Sequence, residues 1–248
     1  MKKALVQYSH GLGDVILLTP HLRYLYDIGY IVDLMCRTEV RTSHLLDNCP
    51  YVGELIEIGN PWTAKDFNQQ VLDNYDKFVT ISNNYDWIGC SLHLTQLPRE
   101  HKIDITSREL GLDITDKRVE VFLGEDDDVR ELVEREYPDG YICVNSNVEF
   151  HTEHNWDARD WIRENLPELP ILELGRGGDF YRKWPDINKT FALLKHASYL
   201  VLNSSVFVHA ADAMECEIEA INYGNHDRKM DCVNVEPRHI RRVGKWVK

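Results

Sequence analysis

The apolar positions of this chain alternate between short runs that are typical of buried strands and longer stretches with helical spacing. In the first half, the runs predict strands over residues 3–8, 30–36, 53–59, 77–82 and 117–123. In the second half, they predict strands over residues 140–147, 170–175, 199–205 and 217–224. Strands that alternate with helices predict parallel sheets with helices packed on both faces.

Helical spacing fills the intervals between these strands. In the first half it predicts helices from Asp14 to about residue 28 and over residues 40–48, 63–75 and 105–114. In the second half it predicts helices over residues 125–138, 157–167, 188–197 and 207–215, and a closing helix in the basic tail 238–248. The series breaks and restarts near residue 125, which favours two similar α/β domains, residues 1–125 and 126–248, the second with the basic tail. One continuous sheet is the alternative.

The composition narrows the class of protein. The chain has 248 residues, 43% hydrophobic and 28% charged, enough for one large or two small domains. Its formal net charge of −13 disfavours non-specific attraction to nucleic acid or anionic membrane, because basic residues supply most of that affinity. No apolar run approaches the roughly 20 residues of a membrane span, and the start MKKALVQYSHGLGD is interpreted as a strand and not as a signal peptide. The six cysteines lack CxxC spacing, so we expect reduced, buried thiols in a cytoplasmic protein.

The loop after the first strand carries the first candidate chemistry. Gly11 and Gly13 precede Asp14 in a strand-to-helix turn, where backbone N–H groups approach a ligand. The dinucleotide fingerprint needs a third glycine where Ile16 stands, although Asp33 lies where a ribose-binding acid is expected. A carboxylate would repel a pyrophosphate. Asp14 is therefore either a base or hydrogen-bond acceptor that faces a ligand, or an N-cap that satisfies the first helical amides.

Four segments carry a family resemblance. Residues 10–25 read HGLGDVILLTPHLRYL, and residues 32–58, 102–114 and 199–224 follow the same family pattern. Together they resemble the glycosyltransferase family that includes the bacterial lipopolysaccharide heptosyltransferases, and they cover most of the chain in pieces. The resemblance implies a GT-B architecture, in which two Rossmann-like α/β domains face a cleft and the second holds most of a nucleotide-sugar donor.

The resemblance also implies an activity. The chain is expected to be an inverting glycosyltransferase that moves a sugar from a nucleotide-diphosphate sugar to an acceptor hydroxyl, with no cofactor besides the donor. Asp14 would be the catalytic base, and His10, Gly11 and Gly13 would form the acceptor turn. A surface glycan or lipopolysaccharide, or a hydroxymethylated DNA base, would be the acceptor. A non-catalytic nucleotide-binding module and a nicotinamide-dependent oxidoreductase are the alternatives.

Donor binding is expected in the second domain. Ser204, Ser205 and His209 lie where a strand gives way to a helix, whose N-terminus would hold the diphosphate. A glycine-rich turn that includes Arg176 and Gly177 follows another strand. Other interpretations stay open: Ser204 as an N-cap, His209 as a packed helical residue, and the glycine segment as a plain turn.

The chain departs from the family pattern at the donor side. Ser204-Ser205-Val206 replaces the family's Asp-Ser-Gly, and no lysine precedes Trp156. The chain is also shorter than expected for the family. His154 and Lys183 are candidate cations in place of the missing lysine. The family's donor contacts therefore do not carry over whole, and a different nucleotide or sugar stays open.

Metal ligands are not apparent in the sequence, so we expect activity without a metal. The segment H-T-E-H at 151–154 lacks the spacing of a zinc motif, and Asp126, Asp127 and Asp128 head a predicted helix as solvated residues. A basic stripe formed by Arg99, Lys102 and Arg108 with the tail would favour a DNA acceptor.

Overall fold

A computed structural model describes residues 1–57, 73–81, 102–146, 158–175, 178–179, 186–203, 205–222 and 240–244. The chain divides into two compact units, Met1–Phe122 and Leu123–Lys248. Each unit has its own parallel sheet, which confirms the mixed α/β class with parallel sheets. That two Rossmann-like domains face a cleft stays a prediction.

The first unit is built around β1. Its described elements are β1 (Lys2–Tyr8), α1 (Leu12–Asp27), β2 (Tyr30–Cys36), α2 (Thr38–Thr42), β3 (Val52–Glu57), β4 (Lys77–Thr80) and α3 (Lys102–Leu110). The strands lie parallel in the order β3-β2-β1-β4. The middle of β1 is buried, as expected for a parallel strand with helices over both faces.

Helix α1 continues without a break through an internal proline. Pro20 has no N–H to donate to the carbonyl of Ile16, one turn earlier. The Thr19 hydroxyl donates to that carbonyl at 2.7 Å instead, which satisfies the buried oxygen. The helix therefore remains intact as a buried element of the first unit.

The second unit is also built around a parallel sheet, of which the structure describes five strands. Its described elements are α4 (Asp127–Glu136), β5 (Ile142–Asn145), α5 (Ala158–Asn165), β6 (Ile171–Glu173), α6 (Ile187–His196), β7 (Tyr199–Asn203), α7 (Val206–Ala213), β8 (Ile218–Asn222) and β9 (Ile240–Gly244). The strands are parallel in the order β6-β5-β7-β8-β9. Ile142 and Val144 of β5 pack with Ala158, Ile162 and Val201 in its core.

Three of the secondary-structure elements expected from the sequence are wrong. Residues 117–123 form no strand, because the Glu120 N–H donates to the Thr19 hydroxyl at 2.9 Å and not to a neighbouring strand. The helix expected over 40–48 ends at Thr42, and His44 follows with a φ of 62°, which a right-handed helix does not permit. The basic tail contributes the strand β9 and no closing helix over those residues, because β8 offers it an edge for parallel pairing.

The four cysteines among the described residues are free thiols. Cys36, Cys49 and Cys143 are buried thiols outside any disulfide, while Cys216 is partly exposed. Burial raises the pKa of Cys36 and of Cys49 to about 11, so neither is a thiolate at neutral pH. Within the described ranges, no helix combines the length and apolar character needed to cross a bilayer.

Candidate active site

The first sheet has a crossover at the carboxyl end of β1. Strands β2 and β3 lie on one side of β1, and β4 lies on the other. Ligands of open parallel sheets bind outside the carboxyl ends of the strands at such a point. The segment from the end of β1 to the start of α1 lies there, and it carries the predicted residues His10, Gly11, Gly13 and Asp14.

Asp14 is the third residue of α1 and is not its N-cap. The helix begins two residues earlier than predicted, with Gly11 as the cap, so the carboxylate points back toward the cap. Its Oδ2 atom accepts a hydrogen bond from the Gly11 N–H at 3.2 Å, as a capping-box residue does. The other oxygen, Oδ1, pairs with Nζ of Lys102 on α3. The side chains of Asp14 and Lys102 are 29% and 13% exposed, so water still reaches the carboxylate.

The residues beside Asp14 shape the turn. The His10 side chain is buried, and its ring packs on the Tyr8 ring with the centroids 4.4 Å apart. The Tyr8 hydroxyl donates to the backbone carbonyl of Asp14 at 3.3 Å. This packing suits His10 as a support for the turn, while its contact with an acceptor stays a prediction. Gly13 follows the cap within the first turn of α1.

Helix α3 is fixed to α1 by a second contact. The Nε2 atom of buried His21 lies 3.1 Å from the carbonyl oxygen of Ile103 and 3.0 Å from Oγ of Ser107. The Ser107 hydroxyl donates to the same carbonyl at 2.7 Å. Since Lys102 directly precedes Ile103, this cluster sets where Lys102 meets Asp14. The sequence analysis placed Lys102 in a basic stripe and missed this pairing.

The second sheet has its crossover between β5 and β7. Strand β6 lies on one side of β5 and β7 on the other, so the carboxyl ends of β5 and β7 form the edge where a ligand is expected. Polar side chains connect the strand ends. The Asn203 amide donates to the Ser146 carbonyl at 3.0 Å, and the Asn145 amide donates to the Leu174 carbonyl at 3.2 Å.

Ser205 is the N-cap of α7, so the structure assigns the cap to Ser205 and not to Ser204. Its hydroxyl accepts from the Phe207 N–H at 3.4 Å and donates to Oδ1 of Asn145 at 2.8 Å. His209 lies on the second turn of the same helix and is partly buried. The N-terminus of α7 therefore opens onto the crossover edge, with backbone N–H groups suited to an anion.

Glu173 is the last residue of β6 and lies at the same edge of the sheet. The sequence analysis did not single it out. Its carboxylate accepts from both the N–H and the hydroxyl of Ser146, each at 2.7 Å. Burial raises the pKa of Glu173, and the two bonds from Ser146 oppose that rise. The signal that was available is a pattern: polar residues follow directly on the buried apolar runs of β5, β6 and β7.

The glycine segment after β6 forms a turn. The Gly178 N–H donates to the Gly175 carbonyl at 2.9 Å, and Gly175 has a φ of 92°, which favours glycine. Arg176 and Gly177 lie outside the described residues, as do the other predicted donor residues Ser204, His154 and Lys183. Their roles stay predictions.

Asp33 does not occupy the place of a ribose-binding acid. It lies in the middle of β2, buried, and accepts from the Tyr75 hydroxyl at 2.9 Å and from the Lys3 ammonium at 3.3 Å. A ribose contact needs a carboxylate at the carboxyl end of that strand. Asp33 therefore does not serve as the ribose-binding acid that a nicotinamide-dependent oxidoreductase would need.

Of the three aspartates expected to be solvated at the start of α4, Asp127 and Asp128 are exposed, whereas Asp126 is partly buried. Asp126 accepts from Lys195 at 2.8 Å and lies 3.2 Å from Nε2 of His196, and the bond from Lys195 is the main cause that lowers the pKa of Asp126. Lys189 donates to Asp128 at 2.6 Å. Over the part of the chain that the structure describes, no group of three or more His, Cys, Asp or Glu side chains is arranged to hold a metal ion.

Comparison with protein families and with curated proteins finds no match to this chain. Solved structures, in contrast, match it over nearly its whole length. A glycosyl transferase of family 9 from Veillonella parvula superposes with a TM-score of 0.68 and 15% identity, covering 100% of this chain and 88% of its own.

Two enzymes of E. coli superpose in the same way. The ADP-heptose lipopolysaccharide heptosyltransferase II gives a TM-score of 0.63 at 14% identity, covering 98% of this chain and 90% of its own. The heptosyltransferase WaaC, solved with ADP-2-deoxy-2-fluoro heptose, gives 0.60 at 12% identity, covering 97% and 92%. The chain is thus similar in fold to a glycosyl transferase of family 9 and to two heptosyltransferases, which confirms the resemblance read from its sequence motifs.

Proposed function

We propose that this protein is an inverting glycosyltransferase that uses a nucleotide-diphosphate sugar as donor and an acceptor hydroxyl as nucleophile. The observation that carries the proposal is the placement of Asp14. Its carboxylate is partly exposed at the crossover edge of the first sheet, where its Oδ2 atom is held by the Gly11 N–H. The similarity in fold to heptosyltransferases supports the same class of reaction.

The proposed chemistry is a single displacement. The acceptor oxygen forms a bond to the anomeric carbon as the bond from that carbon to the diphosphate oxygen breaks. The nucleoside diphosphate leaves with the electron pair, and Asp14 takes the proton of the acceptor hydroxyl. We propose that no metal takes part, so the negative charge that develops on the leaving group must be stabilised by protein donors.

The donor is assigned to the crossover edge of the second sheet. The first backbone N–H groups of α7 offer positive potential to a diphosphate, and Ser205 fixes the start of that helix. Glu173 and Ser146 lie at the neighbouring strand ends, where polar groups of a nucleoside would find acceptors and donors. Since one E. coli structure holds an ADP-sugar, ADP-heptose is the first donor to test.

The proposal is tested by the release of ADP from ADP-heptose in the presence of candidate acceptors. Asp14→Asn should lower kcat by about 10²–10⁴-fold, because a general base contributes that much. ADP affinity, measured by calorimetry, should not change. Asp104→Asn is the matched control, since Asp104 is an aspartate of α3 that pairs with Lys117. Full activity of the Asp14→Asn protein would refute Asp14 as the base.

A non-catalytic nucleotide-binding module is the second candidate. The ion pair between Asp14 and Lys102 favours it, because the Lys102 ammonium already occupies one hydrogen-bonding position on Oδ1 of Asp14. Tight ADP binding without turnover of any nucleotide sugar would support the module and overturn the enzyme. Turnover that Asp14→Asn abolishes would exclude the module.

A further inference from the structure

The carboxylate of Asp14 is held at both oxygens, by groups from two different elements. Oδ2 accepts from the Gly11 N–H at 3.2 Å, at the cap of α1. Oδ1 pairs with the Lys102 ammonium, at the start of α3. A carboxylate held at one oxygen still turns about that bond, whereas one held at both keeps a single orientation. The orientation of Asp14 therefore depends on Lys102 as well as on the cap.

Lys102 is the stronger of the two restraints. The bond from the Gly11 N–H is at the long end of the range for N–H···O hydrogen bonds. The bond from the ammonium joins two full charges, whereas the amide supplies only a partial one. Because the Asp14 side chain is 29% exposed, water competes for a carboxylate that only the amide holds. Without the lysine, we expect Asp14 to take several orientations.

The position of Lys102 is itself fixed by the packing of α3 on α1. The lysine is the first residue of α3, and its side chain is only 13% exposed. The carbonyl of the next residue, Ile103, accepts from the Ser107 hydroxyl and lies 3.1 Å from Nε2 of His21. His21 belongs to α1, the helix that also carries Asp14. The packing of the two helices therefore orders this flexible side chain before any substrate arrives.

The contact leaves Asp14 able to accept a proton. Each carboxylate oxygen has two lone pairs, so the bonds from Gly11 and Lys102 do not exhaust them. An acceptor hydroxyl can thus bond to the carboxylate while the lysine stays in place. The ammonium does weaken Asp14 as a base, but ion pairs that water reaches have small effects. A displacement of the base by about 1 Å, in contrast, can cost about 100-fold in rate, so the orientation decides.

We propose that Lys102 is a positioning residue, which holds the Asp14 carboxylate in one orientation toward the acceptor hydroxyl and stays in contact with it throughout the reaction. It acts through Asp14 and needs no contact with the substrate. The inference rests on the proposed function, because it gives Asp14 the role of base. Loss of the ammonium should therefore lower the rate of the chemical step and leave the binding of the donor unchanged.

Replacement of Lys102 by alanine permits a chemical test. Lys102→Ala removes the atoms from Cγ to Nζ, which propylammonium supplies from solution. Propan-1-ol fills the same space without the charge, so it separates the ion pair from the packing of the side chain. Lys117→Ala is the matched control, because Lys117 pairs with Asp104 at 2.7 Å in the same unit and both side chains are more exposed.

In transfer assays, Lys102→Ala should lower kcat by about 10–100-fold, with KM for the donor within about twofold of the wild-type value. Propylammonium should restore kcat by about tenfold and saturate, because it returns the charge to Asp14, and propan-1-ol should not. Lys117→Ala should retain the wild-type kcat with or without the amine. A kcat that does not change in Lys102→Ala, or that propan-1-ol restores as well as the amine does, would overturn the inference.

A second readout does not require sugar transfer. NMR on the ¹⁵N-labelled full chain records the Gly11 amide, whose resonance reports on Asp14 because that amide donates to its carboxylate. The resonance should shift in Lys102→Ala and return toward its wild-type position as propylammonium is added. It should not respond to the amine once Asp14 is also replaced by asparagine, nor in Lys117→Ala.

The two readouts separate the failure of this inference from that of the proposed function. A wild-type chain that transfers no sugar refutes the glycosyltransferase, and the Gly11 resonance then still decides whether Lys102 holds Asp14. An unchanged Gly11 resonance in Lys102→Ala refutes the role of Lys102, even where transfer depends on Asp14.

Discussion

The Ser205 hydroxyl donates a hydrogen bond to Oδ1 of Asn145 at 2.8 Å, and so joins the start of α7 to the end of β5. Asn145 is 1% exposed and holds a second strand end through its bond to the Leu174 carbonyl. These bonds fix the relative positions of β5, β6 and α7 at the crossover edge. Ser205 is therefore part of the framework of the proposed donor site, whatever contact it makes with a ligand.

Replacement of this serine should weaken both the fold and the site. Ser205→Ala removes the N-cap of α7 and the donor to Asn145, so the free energy of unfolding should fall by about 1–2 kcal/mol. ADP binding should weaken as well, because the helix start is no longer fixed. Urea unfolding and calorimetry measure the two effects. Ser198→Ala, at an exposed serine just before β7, is the control, and an equal loss in both variants would contradict the framework role.

The order of strands and helices was largely readable from the sequence, since short apolar runs bounded by turn residues predict buried strands and longer stretches with helical spacing predict helices. The failure at residues 117–123 has a specific cause. The run RVEVF alternates like a strand, but the Glu120 N–H bonds to Thr19, which lies 101 residues away in the chain. The strand β9 was missed because a basic composition says nothing about the open edge of β8.

Only part of the candidate active site could be predicted from the sequence. Asp14 stood out because a carboxylate after two glycines is unusual at a strand-to-helix turn. Its partner Lys102 is 88 residues away and has no local signal, because α1 and α3 meet only in the folded unit. The amides Asn145 and Asn203 could have been found, since a polar residue that ends a buried parallel strand lies at the ligand edge.

Glu173 predicts a pH-dependent stability difference. Burial raises its pKa above the ordinary value of 4.5, so folding favours the protonated form and wild-type stability falls as pH rises through the folded pKa. Glu173→Gln removes this cost and retains an oxygen acceptor for Ser146. The stability of the variant relative to wild type should therefore increase from below pH 4.5 to neutral pH.

Urea unfolding at the two pH values measures this difference. Glu168→Gln, at an exposed glutamate of the same unit, serves as the control. A relative stability of Glu173→Gln that does not vary with pH would show that burial of this carboxyl has no cost.

Gly178 predicts a steric limit beside Glu173. A Cβ atom at Gly178 would lie 2.2 Å from the backbone carbonyl oxygen of Glu173, and backbone cannot move aside as a flexible side chain can. Gly178→Ala should therefore lower the free energy of unfolding by about 1–3 kcal/mol and weaken ADP binding, because the end of β6 must shift. Chemical denaturation and calorimetry check both effects. A loss of less than about 0.5 kcal/mol would mean that the turn relaxes without cost.

The contact of His21 with Ser107 predicts an energetic coupling that positions Lys102. The Ile103 carbonyl only accepts, so His21 carries its proton on Nε2, 3.1 Å from that oxygen. His21→Ala should cost about 2–4 kcal/mol, since it leaves a cavity in a fully buried place, and Ser107→Ala about 1 kcal/mol. Because the two side chains are 3.0 Å apart, a double-mutant cycle by urea unfolding should give a coupling of about 0.5–3 kcal/mol.

The NMR resonance of the Gly11 amide should also shift in His21→Ala. Lys102 directly precedes Ile103 and moves with α3, and it contacts Asp14, whose carboxylate accepts from the Gly11 N–H. Additive losses with an unchanged Gly11 resonance would show that α3 is held on α1 by other contacts.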